Sequence, residues 1–283
     1  MGSLSYHMAT TVEQNPGIYA EGGNRTTYPN FGSVIQVQDG ATGTYNALQV
    51  SVDQRLSHRL RFHSNFTWSR TADVGGSGDP SFESSVSDPY SIRHDYGPSS
   101  LNYPFVWVSN LIYDLPELKD SPATLRCLLG GWEIAGLYTA QSGPPFTING
   151  GEGNNNSGFD VGQDRADLVP GQPFNVRQGS KGQWIQQYFN TAAFTNNAPG
   201  TPGDSPKFLI QEAPIMTADV ALIKNWTFRD HYRVQFRWEA FNAFNHPSFG
   251  QPDSNPGDSN FGQITGIGNI PPRVMQGALK LSF

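Results

Sequence analysis

Seven stretches of this chain alternate apolar with polar residues one for one, and the connections between them alternate too, short then long. A repeat of two marks a β-strand whose faces meet different surroundings. The stretches are residues 45–56, 60–70, 105–115, 132–141, 216–226, 232–241 and 273–283. In the second, Leu60, Phe62, Phe66 and Trp68 oppose Arg61, His63, Asn65 and Thr67. In the sixth, Val234, Phe236 and Trp238 oppose Arg233, Gln235, Arg237 and Glu239. The third alternates less cleanly, because Val106, Val108 and Ile112 fall on its second face. Residues 57–59, 116–131 and 227–231 make the short connections; residues 71–104, 142–215 and 242–272 make the long ones.

A soluble sandwich has no reason to sort its loops by length onto two ends. A transmembrane barrel does, with the short turns on the periplasmic side. The expected fold class is therefore all-β: a segment of an antiparallel transmembrane β-barrel, about seven strands with long extracellular loops. Composition agrees. The 283 residues include 31 Gly and 21 Pro, 12% are aromatic, and 15% are charged against a usual share of about 25%. That balance excludes a coiled coil or a charged disordered tail, and a net charge of −6 argues against a nucleic-acid partner. The mean hydropathy of −0.47 leaves a barrel open, because a barrel hides its lipid face in every second residue. Residues 1–16 carry no basic start followed by an apolar core. Cys127 is the single cysteine, so a disulfide scaffold is excluded.

The placement of aromatic residues sharpens this reading. Trp68 and Trp107 fall near the long-loop ends of their strands, and Tyr113, Trp132, Trp226 and Phe283 near the short-turn ends. Two belts of amphipathic rings are expected where strands meet lipid headgroups. On the opposite parity, Arg61, His63, Arg233, Arg237 and Glu239 are expected to face the lumen, paired with one another or meeting a plug or an anionic substrate. Lys224 lies on the lipid-facing parity, where its stem could snorkel to headgroups.

The last segment ends in Phe283 with Leu281, Leu279 and Met275 at alternate positions before it. It resembles the C-terminal assembly signal of bacterial outer-membrane barrels. Further stretches extend the likeness: YNALQVSVDQRL at 45–56, FTWSR at 66–70, GGWEIAGLYTAQSGPPFT at 130–147, FNTAAF at 189–194, RVQFRWEAFNAFNHPSFG at 233–250 and FGQIT at 261–265. In this order and spacing, from about residue 15 to the end, they resemble the C-terminal part of TonB-dependent outer-membrane transporters of the Oar-like type. The resemblance implies energy-coupled uptake of a large or scarce solute, or export in some members. It makes residues 45–283 the C-terminal part of the barrel and residues 1–44 an extracellular loop or linker segment. Plugged transporters have about 22 strands, so seven are about a third. Met1 is accordingly expected to be an internal methionine of a longer parent, and the chain alone is not expected to transport. The implied partners are outer-membrane lipid, the barrel-assembly machinery, the missing N-terminal plug and strands of the parent protein, and an unidentified solute. The implied location is the bacterial outer membrane.

No residue is expected to be catalytic, and no cofactor or metal is expected. Asp160, Asp164 and Asp167 could offer oxygens to calcium, but their loop lacks EF-hand spacing and reads as solvated turns. Asp253, Asn255, Asp258 and Asn260 read the same way. His94 and Asp95 could form a dyad and are expected to be a surface pair. Residues 179–181 are a near miss for a phosphate-binding loop, and Cys127 reads as an incidental thiol. The competing expectation is a secreted carbohydrate-binding β-sandwich, and a third is a surface-adhesion scaffold.

Overall fold

A computed structural model of the chain describes residues 7–11, 19–20, 24–25, 35–39, 42–56, 59–74, 87–88, 91–150, 156–157, 164–174, 180–228 and 232–283. Seven long strands follow one another through it: β1 (Gly43–Leu56), β2 (Leu60–Val74), β3 (Phe105–Asp114), β4 (Trp132–Gln141), β5 (Ile215–Phe228), β6 (Tyr232–Phe241) and β7 (Val274–Ser282). Each is antiparallel to the next and hydrogen-bonded to it in chain order, so the sheet is a plain meander. The shortest, β7, has nine residues; about 9–11 tilted residues cross a bilayer. Among the described residues no helix is long and apolar enough to do so. Earlier in the chain, His7–Thr11 pairs with Ile35–Asp39.

The register fixes the faces. Val50, Phe66 and Trp107 lie in one cross-strand row, and Tyr113, Ile134, Leu222 and Trp238 in another. Trp132, Lys224, Phe236 and Leu279 make a third row on this apolar face. The opposite, polar face carries Asp53, His63 and Asn110 in one row and Arg61, Glu239 and Gln276 in the next. One strand ends later than the alternation predicts. β2 continues past Arg70 to Val74, because its last residues pair with Gly43 and Thr44 of β1 and with the short strand Tyr96–Pro98.

Burial is inverted relative to a soluble protein. The apolar face of the sheet is open: Trp68, Trp107, Leu111, Met275, Leu279 and Leu281 are all exposed, Leu279 at 74%. Contiguous apolar area of that extent needs a partner surface, and among the described residues no second sheet covers it. The largest buried cluster lies instead in the long connections, where Phe146, Ile148, Tyr188, Phe189, Phe194, Ile210 and Ile264 pack together. Among the described residues two short α-helices complete the fold. α1 (Ala123–Leu129) sits in the link between β3 and β4. α2 (Lys181–Gln186) starts at Ser180, whose backbone N–H donates to the Gln183 side chain in a capping box.

Candidate functional site

The described residues within 91–104, 142–214 and 242–273 fold together at the long-loop end of the sheet as a cap. Its elements are tiny. Pro145–Phe146 pairs with Ile210–Gln211, and Asp167–Leu168 with Phe194–Thr195. What holds such short pieces is side-chain wiring. The Tyr188 hydroxyl donates to the Gln211 carbonyl at 2.8 Å, and the Tyr188 and Ile264 amides donate to Gly262 and Ile185. Asn149 donates to Ser254 and Asn255, tying the second segment to the third.

Two buried ion pairs fasten the cap's second segment to its first and to β2. The Arg165 guanidinium donates to Asp95 at 2.7 Å and to the His94 carbonyl at 3.1 Å. Lys207 donates to Asp73, near the end of β2, at 2.6 Å. Burial pushes both cations below their ordinary pKa range, and the carboxylates pull in the opposite direction. The turn carrying Gly203 closes over Arg165: Gly203 has φ +79°, and a Cβ there would overlap the Arg165 carbonyl. Its own carbonyl accepts the His94 Nε2 proton at 2.8 Å.

This arrangement corrects several expectations. His94 and Asp95 are not a surface pair, because Asp95 is buried between Arg165 and Ser87. Asp164 is no solvated turn residue: its carboxylate takes the amide and hydroxyl of Ser157, each at 2.6 Å, and the Asn197 amide at 2.9 Å. Asp167 accepts from the Ala198 and Asp204 amides; the Asp253 and Asp258 carboxylates, by contrast, accept local bonds from Asn255 in a turn where Asp258 and Asn260 are exposed, so that expectation is not corrected. Asp160 and Gly179 lie outside the described residues. Glu212, half-buried in the cap, has its carboxyl pKa raised by burial. A raised carboxyl favours the folded cap at low pH and loses that advantage as pH climbs through the folded value. Glu212→Gln should therefore leave cap protection unchanged below about pH 4. At neutral pH it should strengthen protection by a fraction of about 1 kcal/mol, since solvent screens most of the charge. Amide hydrogen exchange at the two pH values checks this.

On the polar face of the sheet, Arg61 reaches Asp114 at 3.7 Å and Glu133 at 3.9 Å. His63 lies 3.6 Å from Asp53, its registered partner, and accepts from Asn65 at 2.8 Å. Four strands away, Arg237 donates to Glu239 at 2.7 Å and Gln276 donates to the same carboxylate at 2.6 Å. Arg233 lies on this face in register with Ser282. The residues thus form two clusters, one spread over β1 to β4 and one on β6 and β7, and the nearest members, Glu133 and Arg237, lie in one row two strands, or about 10 Å, apart. Of the six aromatic residues read as belts, Trp68, Trp107, Tyr113, Trp132 and Trp226 lie on the apolar face by register. Trp107 stacks edge-on against Tyr138 at 5.2 Å, and Trp132 against Phe236 at 6.0 Å. The side chains of Met275, Leu279, Leu281 and Phe283 are exposed. Lys224 departs from its expected role: only 5% exposed, it donates to the Gly130 carbonyl at the end of α1 rather than reaching outward.

The cap is what the pattern reading missed. Its signal lay in the stretches 130–147, 189–194 and 261–265, which supply Phe146, Phe189, Phe194, Phe261 and Ile264 to one cluster. The family model for the outer membrane beta barrel domain matches residues 1–276 of the chain. No curated protein and no solved structure matches it.

Proposed function

Because the chain belongs to the outer membrane beta barrel domain family, and so to the bacterial outer membrane, we propose that it is the C-terminal barrel portion of a TonB-dependent, Oar-like transporter. In this reading the apolar face meets lipid, the polar face lines the lumen, and the cap stands on the extracellular mouth where solute arrives first. The observation that carries it is the pairing of a folded cap, bolted to β2 by Lys207 and Asp73, with a sheet whose polar face carries paired charges, among them Arg61, Asp114 and Glu133 toward the short-turn end. A porin needs only an open polar passage. A cap with its own core presents a fixed surface, as capture of a scarce solute requires.

The test is accumulation of labelled iron chelates, oligosaccharides and peptides by cells with and without the gene, energised or treated with a protonophore. Uptake that needs both the gene and the proton gradient supports the proposal. Uptake that survives the protonophore makes the protein a passive pore. Binding at the cell surface without entry favours the adhesion scaffold, for which the cap alone would suffice.

The face assignment has its own test. Leu279→Arg should cost roughly 2–4 kcal/mol of folding into a bilayer, whereas Lys280→Ala, one residue on and on the other face, should be mild. Equal costs in a denaturant titration of the inserted protein would reverse or abolish the assignment.

A further inference from the structure

The link between β3 and β4 lies at the short-turn end, where a tight turn would suffice, yet it builds α1. The helix exposes Leu125, Leu128 and Leu129, the last two at 58%. Their i, i+3, i+4 spacing puts them on one stripe. A helix of seven residues is too short to persist in water on propensity alone.

Its C-terminal carbonyls are the telling feature. The last turn of a helix leaves its C=O groups without partners, and a helix end in water leaves them to water. Here protein side chains take three carbonyls at this end. The Trp226 indole donates to Cys127 at 3.0 Å and the Trp132 indole to Leu128 at 2.8 Å. Lys224 donates to Gly130. That ammonium also places positive charge at the negative end of the helix. All three donors belong to the apolar face, and Trp132 and Lys224 are registered partners. Protein-supplied partners for backbone carbonyls are a requirement of hydrocarbon, not of water.

We propose that α1 is an interfacial anchor. It lies along the periplasmic leaflet of the outer membrane, with Leu125, Leu128 and Leu129 in the boundary between phospholipid headgroups and acyl chains. Two belt tryptophans and Lys224 clamp its end by taking the Cys127, Leu128 and Gly130 carbonyls. The occupant is phospholipid because the helix is continuous with the open apolar face and is held by that face's own residues. The anchor would fix the depth and tilt of β3 to β5. This rests on the assignment of the apolar face to lipid.

The experiment uses the full chain folded into phosphatidylethanolamine–phosphatidylglycerol vesicles. In a Cys127→Ser background, single cysteines replace Leu125, Leu128, Leu279 or Lys280, or Ala198 in the cap. Each carries an environment-sensitive nitrobenzoxadiazole label. The expected result is that labels at 125 and 128 are quenched by a lipid nitroxide placed roughly 5–10 Å below the headgroups, and resist iodide several-fold better than the label at 198. The label at 279 should be quenched by lipid nitroxides and that at 280 should not. If 279 behaves as expected but both 125 and 128 are as open to iodide as 198, the anchor is overturned and the face assignment stands. If 279 resists lipid nitroxides and 280 does not, the face assignment itself falls. If 125 and 128 are shielded from iodide but untouched by lipid nitroxides, the helix docks on protein, and the lipid occupant is wrong.

Discussion

Asp95→Ala is expected to cost the cap about 3–5 kcal/mol, the scale on which a buried ion pair reduced to one partner destabilises a protein. Asp95 and Arg165 have side chains only 8% and 4% exposed. The carboxylate answers three donors at once: the Arg165 guanidinium and the amide and hydroxyl of Ser87. Removing it strands a cation whose desolvation already opposes its charge. Arg165 would keep the His94 carbonyl, a neutral acceptor, while its Nε is buried without a hydrogen-bond partner. The effect should be confined to the cap. Amides that close across it, such as Arg165 to Pro202 and Ala166 to Ile148, should lose protection in hydrogen exchange while those of β3 to β6 keep theirs. The pair Asp95→Leu with Arg165→Met should recover most of the loss, because a well-packed apolar pair often matches a buried ionic one. A single substitution as mild as the double would mean that the pair is hydrated and idle.

The strands were legible because each face of the sheet meets one environment along its length. β4 and β6 begin and end where the alternation says, at Trp132–Gln141 and Tyr232–Phe241. β2 overran its expected end because beyond Trp68 it enters the cap, where both faces are contacted and the repeat of two has no meaning. The cap was illegible for a related reason. Periodicity needs a window of several residues, and the cap's strands have two or three, its α-helix six. Its Asp, Asn and Ser residues look solvated by composition. In fact Asp164, Asn197 and Ser157 are interior, satisfying the backbone groups of irregular chain that regular structure would otherwise pair. Lys224 shows the same limit. Its parity was readable, but the helix that would cover it was not.

Phe189→Ala should cost about 3–5 kcal/mol, as truncation of a wholly buried aromatic ring does. Phe189 is 0% exposed and is the hub of the cluster. Its ring lies 6.2 Å from Phe146, 5.6 Å from Phe194 and 5.2 Å from Phe261, the last two edge-on. These partners come from both long segments of the cap, so a single truncation loosens two connections far apart in sequence. Phe189→Leu keeps most of the volume and should cost markedly less. The comparison with Leu279→Arg separates cap from barrel. Leu279→Arg should impair insertion and leave any inserted molecules with an intact cap, whereas Phe189→Ala should insert normally and expose the cap to protease from outside the cell. If solute is captured on the cap, Phe189→Ala cells should hold wild-type amounts of barrel in the outer membrane and accumulate far less solute. Undiminished accumulation by such cells would move the recognition surface off the cap and onto the paired charges of the polar face.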